Sequence, residues 1–377
     1  MTVTGIPTEM KALICDGVGQ PLQLKVVQTP EAIPGSCVVH VLAVVADPHT
    51  PHILSGKAGF TFPKNFCPAS KAIGRVAATG IDTTSLEVGQ LVMLEPFVRA
   101  RDDPNVQILW GVFDGPTPAS KKFMADNWAM AAFAEYVRAP LENCYALNEK
   151  ILCGDPGAGG LGYSPYDLLQ LHHQLVAFGG LRAIDLKVGE TVIVAPATGV
   201  YSGAAVQVAV AMGAKVIAMS RNMEALQKLQ KTFPKGRVNI VQSTGDVEKD
   251  SAALKQWGPV DAYIDVSPAQ VKSSTHVRSC FLALRQYARV ALMGVISDDL
   301  AMPYALAVWN NLTIKGQYMY EREDVRLLIR MAESGALKLG KDGGNEIVGT
   351  FKLEEIEKAF EVAGKNTGPG RLCLVTP

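Results

Sequence analysis

The stretch from Leu186 to Gln317 constrains the fold more than any other, because short uninterrupted apolar runs alternate there with helix-like segments. Glu190 to Ala197 (ETVIVAPA) reads as a buried strand with turn chemistry at its end. Ser202 to Met212 reads as a small-residue helix, and Gly213 follows where a left-handed glycine stops a helix. Lys215 to Ser220 (KVIAMS) is a second buried strand, after which Asn222 caps a helix whose Leu226, Leu229 and Phe233 share one face. Further strands are expected at Val238–Gln242, Ala262–Val266 and Arg289–Gly294, with a helix over Thr275–Tyr287 before the last. Strands that are apolar on both faces need helices on both sides. The alternation therefore predicts a doubly wound parallel sheet of the nucleotide-binding kind.

The first third of the chain is built differently. Met10–Cys15, Leu22–Val27, Ser36–Val45, Ala72–Thr79, Gln90–Leu94 and Ala134–Arg138 are short strand-like runs punctuated by Gly, Pro or Asp. Without helices between them they predict a β-rich, barrel-like domain. Glu95 to Asn127 is irregular and reads as a surface lobe. In the tail, helices are expected over Arg322–Ser334 and Leu353–Ala363, with a final strand over Arg371–Val375 that returns to the first domain. The expected organisation is a first domain over 1–185, completed by 318–377, and a doubly wound domain over 186–317.

The 377 residues agree with two or three domains at ~150 residues each. Lys and Arg number 36 and Asp and Glu 36, so a neutral balance leaves no electrostatic footprint for nucleic acid or an anionic membrane. No run reaches the ~18 apolar residues of a bilayer span. Met1 to Met10 lacks the basic and apolar regions of a secretory signal, so the cytosol is the expected compartment. The seven cysteines are scattered with no C-x-x-C spacing, which argues against a disulfide framework and against a structural zinc site.

A dinucleotide site needs a strand, a tight turn, and a helix whose N-terminal amides face the pyrophosphate. The turn here is Ala197-Thr198-Gly199-Val200-Tyr201-Ser202-Gly203, with only Gly199 in register with the three glycines of G-x-G-x-x-G. Its placement between a buried strand and a helix is the context that the motif requires. An ordinary strand–turn–helix with a convenient glycine is the competing reading. The second strand ends in Ser220-Arg221-Asn222, with no carboxylate before Glu224. A carboxylate there would accept from the ribose 2′-OH of NAD, whereas a guanidinium and a hydroxyl suit a 2′-phosphate. NADP(H) is the expected cofactor. A solvated surface arginine is the alternative.

Several further phrases fall in a familiar order. They are Gly56, Gly74-Arg75-Val76, Val88-Gly89-Gln90-Leu91-Val92, Ala132-Phe133-Ala134-Glu135-Tyr136-Val137, Leu186-Lys187-Val188-Gly189-Glu190-Thr191-Val192 and Phe351-Lys352-Leu353-Glu354-Glu355. With these the chain resembles the medium-chain dehydrogenase/reductase family over nearly its whole length. The resemblance implies an α/β architecture of a GroES-like, β-rich catalytic domain and a Rossmann domain. It also implies an active-site cleft between them and often a homodimer through Rossmann edge strands. Zinc members of that family take catalytic zinc from a Cys after the third strand, a Gly-His-Glu segment and a later Cys or Asp. Here those places hold Asp47, Ala69-Ser70-Lys71 and a stretch near Leu175 to Gly179 with no ligand. Nor do any cysteines lie between Cys67 and Cys144. No metal site is expected. Asp47-Pro48 instead resembles the "NPxD" segment that lies beside the nicotinamide in zinc-independent quinone oxidoreductases and enoyl reductases.

Without a Lewis acid, hydride transfer is easiest to an acceptor that is already activated, such as a C=C or C=N bond in conjugation. Asp47, His49 and His52 are the candidate catalytic groups, with surface or satisfied polar residues as the alternative for each. Lys71 is expected to fill the space of the absent zinc, salt-bridged to Asp47. His172 and His173 fall in an apolar helix-like stretch and read as packing residues. By resemblance Pro48, Val266, Gly294, Val295 and Arg371 join Thr198, Gly199, Val200, Tyr201, Ser202, Ser220, Arg221 and Asn222 as cofactor contacts. Three functions stay open: an NADPH-dependent reductase of conjugated bonds in a small molecule, a zinc-free carbonyl reductase or alcohol dehydrogenase, and a redox-inactive NADP-binding relative.

Overall fold

The computed structural model describes residues 5–268, 271, 274–296, 299 and 301–377. The strands run β1 Glu9–Cys15, β2 Leu22–Gln28, β3 Ser36–Val45, β4 Ala72–Thr79, β5 Leu91–Leu94, β6 Phe97–Arg99, β7 Gln107–Leu109, β8 Tyr136–Pro140 and β9 Cys144–Ala146. They continue as β10 Thr191–Ala195, β11 Lys215–Ser220, β12 Val238–Gln242, β13 Val260–Asp265, β14 Leu284–Leu292, β15 Thr313–Gly316, β16 Glu346–Phe351 and β17 Arg371–Val375. The α-helices are α1 Thr50–Leu54, α2 Pro118–Phe123, α3 Glu149–Leu152, α4 Leu171–Ala183, α5 Val200–Ala211, α6 Met223–Lys231, α7 Val247–Lys255, α8 His276–Ala283, α9 Tyr304–Trp309, α10 Arg322–Glu333 and α11 Ile356–Lys365.

The chain divides into two compact units. One comprises 1–169, 347–367 and 372–377, and the other 170–346 and 368–371. In the first, antiparallel strands form a sheet in the order β16-β17-β3-β4-β5-β9, with β8 also on β3, beside the β1–β2 hairpin. The returning tail is explicit, since Leu374 of β17 pairs antiparallel with Val45 of β3. The lobe after Glu95 is more ordered than its composition suggests: β6 and β7 pair, and Trp110 and Met124 are fully buried. Asn143 Nδ2 donates to the buried Glu95 carboxylate at 2.6 Å and to the Phe97 carbonyl at 3.0 Å, cross-linking the lobe where no cysteine is present.

The second unit is the expected α/β layer. Six parallel strands lie in the order β12-β11-β10-β13-β14-β15. Ile193, Ile217 and Tyr263 in its core are fully buried, each aliphatic side chain contributing ~1.5–3 kcal/mol. The contact boundary differs from the expected junctions at 185/186 and 317/318. Helix α4 belongs to this unit because it packs on α5 and α10, and Arg182 Nε meets Asp324 Oδ1 at 3.3 Å. The helix expected over Thr275–Tyr287 stops at Ala283. The chain then passes directly into β14, with Tyr287 at φ 59°. Residues 285–288 bulge out between the Leu284–Val260 and Arg289–Ala262 pairs with β13, and Tyr287 N donates to the Asn310 carbonyl at 2.7 Å, a long-range bond that a continued helix would not make.

Candidate active site

In the second unit, the turn after β10 is held by its own hydroxyls. Gly199, at φ −91° and ψ 176°, stands just before α5. Its N–H donates to Ser202 Oγ at 2.9 Å, and Ser202 is 3% exposed. Thr198 Oγ1 and Ser220 Oγ lie 2.6 Å apart, joining the turn to the end of β11. Gly203 admits the turn before β17, since a Cβ there would come within 2.4 Å of Pro369 Cβ. Tyr201 sets its ring edge-on to the buried His173 of α4, centroids 5.1 Å apart, so α4 supports the turn from behind. His172 is equally buried, as expected of packing residues.

Arg221 is exposed just past β11, and among the described residues its guanidinium has no carboxylate partner. Asn222 Oδ1 accepts from Ala225 N at 3.0 Å, which caps α6. Arg371 pairs with Glu346 in the same unit. Sequence reasoning did not find that carboxylate, which competes with any phosphate for the guanidinium.

At the ends of β13 and β14 the structure gathers Val266, Gly294 and Val295. Val266 is half-buried and Val295 is exposed. Met293 N donates to Asp265 O at 3.0 Å and Val295 N to Ser267 O at 2.9 Å. Beneath these loops lies a polar cluster that the sequence did not disclose. Asp265, Ser267 and His276 are 4%, 2% and 8% exposed. Their only sequence signal was a carboxylate, a hydroxyl and an imidazole following one apolar strand.

In the first unit, Asp47 and Lys71 form the expected ion pair. Lys71 Nζ donates to Asp47 Oδ2 at 2.5 Å, with side-chain exposures of 14% and 16%. Asp47 Oδ1 accepts from His49 N at 3.0 Å. Burial alone would raise the Asp47 pKa, but the Lys71 and His49 charges and both hydrogen bonds hold it well below the carboxylate range. Pro48 is half-buried, and His49 and His52 at the start of α1 are exposed. His49 supplies no side-chain cap to α1, and His52 accepts from Ser55 Oγ through its backbone carbonyl at 2.8 Å. The turn preceding Lys71 is strained: Ala69 sits at φ 66°, a left-handed conformation costly for any residue with a Cβ. Ser70 is buried and donates to the Trp110 carbonyl. Among the described residues no group of three His, Cys, Asp or Glu is arranged to hold a metal.

Comparison with known proteins agrees with both units. The alcohol dehydrogenase GroES-like domain family matches residues 33–149, and the zinc-binding dehydrogenase family matches residues 202–334. The chain belongs to the medium-chain dehydrogenase/reductase family and is an oxidoreductase of that type, whose members use nicotinamide cofactors. It is 28% identical to a probable D-xylulose reductase A of Aspergillus clavatus, over 76% of this chain and 74% of that one. A putative zinc-binding dehydrogenase from Sinorhizobium meliloti, bound to NADP, shares the fold with TM-score 0.76 and 19% identity, covering 98% of this chain and 100% of that one. An alcohol dehydrogenase of E. coli complexed with NADH does so with TM-score 0.74 and 17% identity, covering 98% and 100%.

Proposed function

We propose that the protein is a zinc-independent, NADPH-dependent reductase that delivers hydride to an activated C=C or C=N bond of a small organic molecule. The observation that carries this reading is the Asp47–Lys71 ion pair. A zinc ion does not fit these residues: an ammonium occupies one Asp47 oxygen and a backbone N–H the other. Ser70 is committed to the Trp110 carbonyl. Polarisation of the substrate therefore falls to side-chain charge and hydrogen bonding.

The cofactor, when bound, supplies the hydride. The start of α5, with Thr198, Gly199, Val200, Tyr201 and Ser202, suits a pyrophosphate because helix N-terminal N–H groups favour an anion. Arg221 and Ser220 suit the 2′-phosphate, and Asn222 holds the first turn of α6 in place behind them. Val266, Gly294 and Val295 form the wall at the opposite half of the sheet. Lys71, kept cationic by Asp47, suits a developing enolate oxygen. His49 and His52, both exposed, are the candidates to return the proton. The structural neighbours include one bound to NADP and one to NADH, so the choice between the two cofactors rests on Arg221 and Ser220.

The test is NADPH oxidation by the purified protein with a panel of enones beside simple ketones, together with zinc analysis. Turnover confined to enones without bound zinc is expected; one zinc per chain overturns the reading. Arg221→Ala is expected to weaken NADPH binding about tenfold while leaving NADH unchanged, read by fluorescence titration. A carbonyl-reducing alternative is favoured by the name of the xylulose reductase relative, and ketone turnover would select it. We further propose a cytoplasmic homodimer. Its support is the end strand β15 together with exposed Tyr304 and Trp309 (81% and 76%) on α9, and a monomeric mass in solution would refute it.

A further inference from the structure

A buried polar cluster lies under the carboxyl ends of β13 and β14. Asp265 Oδ1 accepts from Ser267 Oγ at 2.6 Å and from Tyr263 OH at 3.2 Å. His276 Nε2 stands 3.0 Å from Ser267 Oγ and 3.3 Å from Asp265 Oδ1. Because the Ser267 proton is already given to Asp265, its oxygen accepts from His276, which assigns the imidazole proton to Nε2. His276 Nδ1 then accepts from Ser274 Oγ. Asp265 Oδ2 faces Gly294, where any Cβ would approach it to 2.2 Å. That glycine is thus required by the carboxylate beside it.

Such a cluster is an expensive way to fill a core, because apolar residues of the same volume would cost less desolvation. What it supplies is direction. The cluster joins three segments: Asp265 and Ser267 at the end of β13, His276 at the start of α8, and the backbone at the exit of β14. Backbone bonds from Met293 to Asp265 and from Val295 to Ser267 close the same ring. The cluster therefore holds Val266 and Val295 at fixed positions on the sheet's carboxyl edge.

The sheet order places the Thr198–Ser202 turn and Arg221 on β10 and β11, and this cluster on β13 and β14. In a doubly wound sheet the two halves each receive one mononucleotide of the cofactor. We propose that Asp265, Ser267 and His276 are positioning residues for the nicotinamide half of the cofactor, acting through the backbone at Val266 and Val295. The inference rests on the NADP(H) reading above.

The experiment compares two ligands on the full chain by calorimetric titration: NADPH, and adenosine 2′,5′-bisphosphate, which lacks the nicotinamide half. Ser267→Ala removes the central hydroxyl with the least change of volume. It is expected to weaken NADPH about tenfold and leave the bisphosphate within about twofold of wild type. Equal loss for both ligands, or loss for neither, overturns the proposal. Should Ser267→Ala fail to fold, His276→Gln, which keeps a side-chain N–H donor, carries the same comparison with the same outcomes. Wild-type protein that binds neither ligand refutes the NADP(H) reading itself. Wild-type binding to both, with no split in the variants, refutes only the positioning role.

Discussion

The turn at Thr198–Ser202 and the segment pairing Asp47 with Lys71 satisfy their polar groups in different ways. The turn uses neutral hydroxyls on backbone and on each other: Ser202 on Gly199 N–H, and Thr198 on Ser220. The segment uses opposite full charges that are mostly withdrawn from water. A hydroxyl-held turn depends on backbone geometry and tolerates sequence drift, which is why one registered glycine suffices. A charge pair depends on both members at once, and each is costly without the other.

That contrast can be broken most forcefully at Asp47. Asp47→Asn leaves the Lys71 ammonium without its carboxylate and is expected to cost about 3 kcal/mol in urea unfolding. Asp47→Leu with Lys71→Met is expected to recover most of that stability but to abolish the turnover proposed above, separating the pair's structural role from its chemical one. The same site carries a pH signature. Its folded pKa lies below the unfolded value of ~3.9, so the ion pair stabilises at pH above about 4 and loses that contribution as pH falls further. Stability curves of wild type and Asp47→Asn should therefore converge in acid; curves that stay parallel would show that the pair is not the source.

Ser202→Ala tests the other side of the comparison. It strands the Gly199 N–H and is expected to cost about 1 kcal/mol in thermal unfolding. On the proposed cofactor reading NADPH affinity should fall with it, because the turn then loses the hydroxyl that holds the Gly199 N–H. The smallest effect is expected at Ala69. Ala69→Gly relieves a left-handed backbone at φ 66° and should stabilise by about 0.5 kcal/mol after the entropy of glycine is set against it. A destabilised variant would mean that the methyl packs usefully there.

How much was legible follows from which interactions are local. The strands at 72–79 and 371–375 lie where the apolar runs put them, and the capping Asn222 does what its position before a helix implies. The Asp47–Lys71 pair could be anticipated because a lysine and an aspartate replaced residues at two recognisable landmarks. Arg371 is expected as a cofactor contact by resemblance, but its ion pair with Glu346 is invisible in the sequence because the two residues, 25 positions apart, meet only in the folded chain, where Glu346 N also donates to the Gly370 carbonyl. The early start of β14 at Leu284 is hidden for a similar reason: Arg285, Gln286 and Tyr287 look helical, and only the distant Val260 and Asn310 draw the chain around them out of the helix.

The sequence by itself determined the parallel layer through five of its six strands, all but β15, together with the β-rich unit and the turn that joins β10 to α5. Apolar periodicity and turn chemistry act between near neighbours and need no other part of the chain. Only the tertiary structure decided that α4 belongs with the parallel sheet and that Asp265, Ser267 and His276 share one buried cluster. Those outcomes depend on side chains from distant segments losing water together, and desolvation is a property of the packed molecule rather than of any stretch of it.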